Sequence, residues 1–441
     1  MRPMDITNGR RTTVLVAALL ALTGVLGTPP AHAAPQTPNL GPLIEGYAPY
    51  EGQKRCAPKE KPGVTAFRKL LLRTYGDTWM NSSRACNIGG QSEHKEGRAL
   101  DWAMNASKAK DRKKVNDLFA WMFAEDGRGR PNAIARRLGM MYVIWNRKWW
   151  TSWDRTWKTY CVQKPRGCKT PSGSFTHPHD DHVHFSFSWP GARKRTSFFS
   201  PERSFFMGMA PSSGAGYWVA GGDGTVRAYA APFHGSKAGK FPPAPVVGMA
   251  SRPNDDGYWL ALRSGRVLRF GEARLHGRVT RKKAKIVGMA PTPSGEGYWL
   301  VAKRGQVAAF GDASNHGRVE KGAATVVGII PTASGKGYWV YGAGGEVFAF
   351  GDAEHLGDRV GKPLPSPIAG GAASGADGYW LVTRGGDVYS FGSARLFGQA
   401  TKKGLGAATG IAATPSGSGY WVVGRNGKVV AFGDAVSHGS L

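Results

Sequence analysis

Little in this 441-residue chain is acidic: 30 Asp and Glu stand against 59 Lys and Arg, a formal net charge of +29. So basic a surface suits anionic polymers. Cysteine is scarce, at four residues, and no two stand in C-x-x-C spacing, so a thiolate zinc site is not expected. After residue 34 no apolar run approaches the ~20 residues that a membrane-crossing helix needs, so no span is expected in the mature chain. Hydrophobic residues are not lacking, at 41%, which excludes a disordered chain.

The amino terminus carries the one sustained apolar stretch. Arg10 and Arg11 precede Val14–Leu26, and Ala31-His32-Ala33 follows as a small-x-small cleavage site. Residues 1–34 are therefore expected to be an export signal; the paired arginines leave twin-arginine export as an alternative to the general route. An exported chain meets an oxidising compartment, and Cys56, Cys86, Cys161 and Cys168 make an even number, so disulfides are expected. Three pairings are open; a local loop from Cys161 to Cys168 would leave Cys56 with Cys86.

Composition changes near residue 200, which sets two expected domains, 35–200 and 201–441. The first mixes element types. Apolar residues recur at helical spacing in 64–75 and 112–124, and 131–139 runs from a proline to a glycine as a short helix does. Residues 140–146 are rich in β-formers, and 98–104 alternates, with Ala99, Asp101 and Ala103 on one face and Leu100, Trp102 and Met104 on the other. The first domain thus reads as α+β.

The second domain repeats. Gly-Tyr-Trp begins at Gly216, Gly257, Gly297, Gly337, Gly378 and Gly419, at intervals of 40 or 41 residues. Each marker follows a short apolar run such as 286–290 and precedes a glycine turn and a second run such as 305–310; a Gly-Asp-Ala turn follows in three of the six units, with Glu272 and Ser393 in place of the aspartate in the second and fifth and no such motif in the first. One such unit buries no core alone, whereas stacked units do. The expectation is an all-β six-bladed propeller, with an open β-solenoid as the alternative. The units resemble the GYW…FGDA repeats appended to many secreted actinobacterial proteins, a resemblance that implies little about ligand.

Two clusters in the first domain carry potential chemistry: Ser92-Glu93-His94-Lys95-Glu96-Gly97-Arg98-Ala99-Leu100-Asp101, and His179-Asp180-Asp181-His182-Val183-His184. Imidazole and carboxylate are good zinc ligands, and a catalytic zinc takes three protein ligands. The two histidines of a His-x-His in a strand share a face. His94, Asp101 and one of His182 and His184 meet that count. The pattern S-x-H-x-x-G-x-A-x-D followed by H-x-H resembles the LAS group of zinc peptidases, which takes in lysostaphin, the D-alanyl-D-alanine carboxypeptidases and sonic hedgehog. Its serine and glycine point to the carboxypeptidase branch.

That resemblance implies Zn2+ held by His94, Asp101 and His184. It places His182 as the general base or transition-state stabiliser, with Asp181 a rival for the base, and makes His179 a further active-site histidine of the murein endopeptidase type. Ser92 would bond a ligand from behind, and Arg84 would hold a substrate carboxylate. The implied activity is zinc-assisted hydrolysis of peptides in peptidoglycan, by a protein secreted to the cell wall, with the repeats binding or spacing on the wall and its anionic polymers. A non-catalytic wall-binding protein with a vestigial metal site is the alternative. No nucleic-acid reader motif is present, and an exported nuclease lacks a phosphate-gripping arrangement. Trp145, Trp149, Trp150, Trp153 and Trp157 read equally well as core or as a wall that binds glycan or peptide. The Gly-Tyr-Trp sets read as repeated core packing, and the Gly-Asp-Ala turns as turns rather than calcium sites.

Overall fold

The computed structural model describes residues 34–440, apart from 77, 281–284 and 376. The expected export signal, paired arginines included, lies outside the described residues except for Ala34. Among the described residues no helix is long and apolar enough to cross a membrane.

Helix α1 (Pro62–Tyr75) starts on a proline, whose missing N–H costs nothing in a first turn. Val64, Phe67, Leu71 and Tyr75 recur every three or four residues and are buried. The chain leaves the helix through Gly76, at φ 88°. Helix α2 (Ala109–Phe123) begins three residues before the expected 112, because Ala109, Lys110 and Asp111 add a first turn with no buried member. Helix α3 (Ala133–Leu138) ends at Gly139, in the left-handed region at φ 71°.

These helices flank an antiparallel sheet. Its strands are β1 (Met80–Asn81), β2 (Ala99–Ala103), β3 (Met140–Trp145), β4 (Lys148–Thr151) and β5 (Trp157–Thr159). After a small separate sheet of β6 (Val162–Lys164), β7 (Gly167–Lys169) and β8 (Phe175–Thr176), the chain returns as β9 (His182–Phe187). The order β1-β2-β9-β3-β4-β5 inserts β9 between β2 and β3. Period-two alternation then sorts side chains: Leu100, Trp102, Val143, Val183, Phe185 and Phe187 enter the core shared with α1 and α2. The sequence neighbours of that set, Asp101, His182 and His184, lie on the opposite face. Disulfides join Cys56 to Cys86 and Cys161 to Cys168, the second closing the hairpin of β6 and β7.

From residue 206 the strands among the described residues form six three-stranded antiparallel sheets. The Gly-Tyr-Trp markers open the middle strands, for example Gly297–Ala302 between Ile286–Pro291 and Val307–Gly311. Every marker Tyr and Trp is buried. Each Trp ring meets the Tyr ring of the following sheet, Trp218 on Tyr258 at 5.6 Å and Trp299 on Tyr338 at 5.8 Å, and Trp421 of the sixth sheet meets Tyr217 of the first at 5.3 Å. Indole N–H groups are satisfied by carbonyls about fifteen residues on, as Trp299 Nε1 to Ser314 O at 2.7 Å. Aspartates of the Gly-Asp-Ala turns accept hydroxyl hydrogen bonds from their own sheet; Asp312 takes those of Thr292 (2.8 Å) and Ser294. That is a turn role, as the sequence suggested.

Candidate metal centre

The first-domain motif works as a mould for His94. Ser92 caps the 3-10 turn Glu93–Glu96 by accepting the His94 backbone N–H at 3.4 Å. Gly97 closes the turn at φ 64°, and a Cβ there would lie 2.1 Å from the Lys59 carbonyl oxygen. Serine and glycine five residues apart are thus required by the backbone. Beneath the turn, fully buried Arg98 donates from Nε to Glu96 Oε2 at 2.7 Å, while Glu96 Oε1 accepts the N–H groups of Lys54 (3.0 Å) and Arg55 (3.1 Å).

Strand register supplies the rest. Asp101 of β2 sits opposite His184 of β9, and Ala103 opposite His182. Three donor atoms converge: His184 Nδ1 is 2.8 Å and His94 Nε2 3.1 Å from Asp101 Oδ1, and the two nitrogens are 3.3 Å apart. Protons do not satisfy this triangle. If each imidazole donates to Asp101, the two ring N–H groups face each other with nothing between them. A cation satisfies all three atoms at once, and ligands on a tetrahedral zinc with bonds of about 2.0 Å stand about 3.3 Å apart. The donor set therefore fits zinc. Burial pushes the Asp101 carboxyl up, but the hydrogen bonds and charges of His184 and His94 outweigh it and hold it far below the usual carboxylate range. His184 Nε2 lies 2.9 Å from Ser186 Oγ, a hydroxyl able to accept its N–H and leave Nδ1 bare for a metal.

Around this centre lie the other sequence-derived residues. His182 Nε2 approaches Asp101 Oδ1 at 3.7 Å, while its Nδ1 is held at 2.6 Å by the Asp181 carboxylate. Asp181 and His182, rivals in the sequence, form one hydrogen-bonded pair. His179 packs its ring 4.7 Å from His182 and 5.9 Å from His184. Desolvation, with the neighbouring His184 and His182, pulls His179 down to about 3, so it is neutral. Its Nδ1–H donates to the His177 carbonyl at 2.8 Å.

Ser92 does bond a ligand residue, accepting the backbone N–H of His94 and not touching its ring. Arg84 is exposed, near Gly89, and makes none of the cluster's contacts. Three further residues join the site. His177 Nε2 reaches Asp181 at 3.8 Å; a histidine two before His179 was its only sequence signal. Tyr142 stacks on His184 at 5.5 Å and donates its hydroxyl to Glu93. Burial and the Glu93 charge push that phenol well above its ordinary value, so it stays a donor. Ser186 follows the His-x-His at the next in-phase position of β9, which alternation makes readable.

The tryptophan cluster divides between core and surface. Trp145 and Trp150 are core; Trp153 and Trp157 remain 39% and 37% exposed.

The family model described as the VldE C-terminal domain matches residues 56–171. That span starts at Cys56, takes in both disulfides, His94 and Asp101, and stops before His177–His184. No curated protein matches the chain.

Proposed function

We propose that the first domain is a secreted zinc peptidase that hydrolyses peptide bonds of bacterial peptidoglycan. The observation that carries this reading is the convergence of His94, Asp101 and His184 with the Asp181–His182 pair beside them. The two disulfides suit the oxidising compartment that an exported protein enters. Zinc held by the three ligands would supply a Lewis acid for the scissile carbonyl. The chain's own part is proton transfer. Asp181 keeps the His182 Nδ1–H oriented, so His182 Nε2 is left to take a proton from the attacking water and return it to the leaving amine. Neutral His179 donates its ring N–H to the His177 carbonyl and packs its ring 4.7 Å from that of His182.

The repeat domain is read as a six-bladed β-propeller. Packing of Trp421 on Tyr217, and the hydrogen bond from Tyr217 Oη to Gly439 O at 2.8 Å, favour a ring over an open solenoid. Its role would be to bind or space the enzyme on the wall, and the net charge of +29 suits anionic wall polymers.

The test is metal analysis of the dialysed protein beside His184→Ala, followed by digestion of purified peptidoglycan. One zinc per wild-type chain, lost in the variant together with release of new amino groups, is the expected result. A chain that takes up no zinc when it is offered overturns the peptidase reading and leaves the non-catalytic wall-binding protein.

A further inference from the structure

The rings around the metal centre do not end at the histidines. Tyr142, stacked on His184, also meets Trp153 at 6.4 Å. Trp153 meets Tyr50 at 5.4 Å and Trp149 at 6.2 Å. Trp149 meets Tyr160 at 5.9 Å, and Tyr160 returns to His179 at 5.3 Å. An arc of aromatic side chains therefore leaves the cluster at one histidine and rejoins it at another.

Local structure explains why the arc faces outward. Trp149 and Trp150 are neighbours in β4, so alternation sends Trp150 to the core and Trp149 to the face that bears the cluster. The turn between β3 and β4, with Asn146 and Arg147 at positive φ, is pinned to the His179 segment: the Asn146 N–H donates to His179 O at 2.7 Å and the Arg147 N–H to Pro178 O at 2.8 Å. The arc and the histidines thus form one rigid surface. Trp153 and Tyr50 stay 39% and 57% exposed, and contiguous aromatic surface of this kind marks a binding site.

We propose that Tyr50, Trp149, Trp153 and Tyr160 form a platform for a sugar ring of the glycan strand, so that the substrate is a stem peptide still joined to its sugar. This rests on the peptidase reading and names its substrate class. The contacts of Trp153 with Tyr50, Trp149 and Tyr142 are edge-on, at interplanar angles of 71°, 79° and 71°. Each such contact covers one face of one ring with the edge of the other, so three contacts leave most faces of these four rings uncovered by one another, and a pyranose needs a free aromatic face for its C–H groups. The rim of such a sugar carries hydroxyls, which suit the phenol and indole edges of these residues. Two ring contacts, of 5.5 and 6.4 Å, separate Trp153 from His184. Three or four extended residues at ~3.5 Å each would span that path, which places the cut within the first few residues of the stem. Exposed Arg147 and Lys148 flank the arc and suit the carboxylates of such a peptide.

The experiment compares intact chain with Trp153→Ala, Trp149→Ala and the conservative Trp153→Phe. Substrates are glycan-linked stem peptide and the same peptide freed of sugar. The expected result is a roughly tenfold higher KM on the glycan-linked substrate for the alanine variants, with kcat unchanged, little effect on the free peptide, and recovery in Trp153→Phe. Titration with an N-acetylglucosamine tetramer, followed by tryptophan fluorescence, should saturate in wild type and fail in Trp153→Ala. Equal losses on both substrates, or no saturable fluorescence change in wild type, would overturn the platform. Saturable tetramer binding by a chain that cuts no wall would keep the platform and remove the peptidase reading instead.

Discussion

The Asp181 carboxylate holds His182 Nδ1 at 2.6 Å and so turns the other ring nitrogen toward Asp101. An orienting carboxylate fixes which nitrogen carries the proton, which is the condition for a base aimed at one spot. His182→Ala is expected to lower peptidoglycan hydrolysis by roughly 10²–10⁴-fold, and Asp181→Asn by roughly 10–100-fold. Both should keep their zinc. Metal content measured beside the rate decides the matter: loss of zinc in either variant would make that residue a ligand, not part of a base.

Metal retention should grade with distance from the triangle. His94→Ala, Asp101→Ala and His184→Ala each remove a converging atom and should abolish stoichiometric zinc binding. Ser186→Ala removes only the group beside His184 Nε2 and should weaken affinity by roughly 10–100-fold. Competition with a chromogenic chelator measures both. A Ser186→Ala affinity equal to wild type would show that the hydroxyl does not set the ring.

Much of this was legible in the chain. Alternation in 98–104 put Asp101 on the face opposite Trp102, and the same rule in β9 set His182 and His184 on one face, so bringing Asp101 to His184 needed only the pairing of the two strands. That pairing was not legible, since 83 positions separate Asp101 from His184 and nothing local chooses β2 as the partner of β9. The way Ser92 supports a ligand was not legible either: a serine before a short turn reads equally as a cap or as a partner of the ring, and here the cap on the His94 N–H is the support. Arg84 was drawn to the site by the motif alone, and the structure leaves it exposed. The repeat domain was the most legible part, because buried Tyr-Trp pairs recur with the period that stacks them.

The Glu96–Arg98 pair predicts an acid-sensitive fold. Burial pushes the Glu96 carboxyl up, but the N–H groups of Lys54 and Arg55 and the Arg98 guanidinium outweigh it, so its pKa is lowered on folding. A lowered carboxyl stabilises the fold above its unfolded value near ~4.3, and that contribution is lost as pH falls through the folded value. Glu96→Gln leaves buried Arg98 with only the more distant Glu93 carboxylate, 3.7 Å away, and should cost about 1–3 kcal/mol at pH 7. The deficit should shrink on acidification, as urea unfolding at pH 7 and pH 3 would reveal. A deficit independent of pH would mean that shape, not charge, holds the turn.

Reduction separates the two disulfides by loop length. Cys161–Cys168 spans 7 residues and Cys56–Cys86 spans 30. Loop-closure entropy gives the first about 2.5 kcal/mol and the second about 3.7 kcal/mol. Paired serine substitutions should follow that order in chemical denaturation of the first domain. The longer loop also anchors the segment that reaches Glu96 through Lys54 and Arg55, so its loss should weaken zinc binding as well, whereas loss of the short loop should not. Zinc affinity unchanged after Cys56→Ser with Cys86→Ser would detach the segment from the site.

A ring and an open stack of six sheets differ at one seam. Trp299 packs between interior sheets, on Tyr338, while Trp421 packs across the seam, on Tyr217. Both are fully buried, and each indole N–H reaches a carbonyl at 2.7 Å, that of Ser314 or Val436. In a ring the two positions are equivalent, so Trp299→Ala and Trp421→Ala should each cost about 3–5 kcal/mol. In an open stack Trp421 would lie on a terminal sheet with no Tyr217 against it, and its replacement would cost far less. Equilibrium unfolding of the two variants, followed by the remaining tryptophans, measures the difference directly. Equal costs support closure. A Trp421→Ala deficit below about 1 kcal/mol would put the seam open in solution and return the repeats to a solenoid.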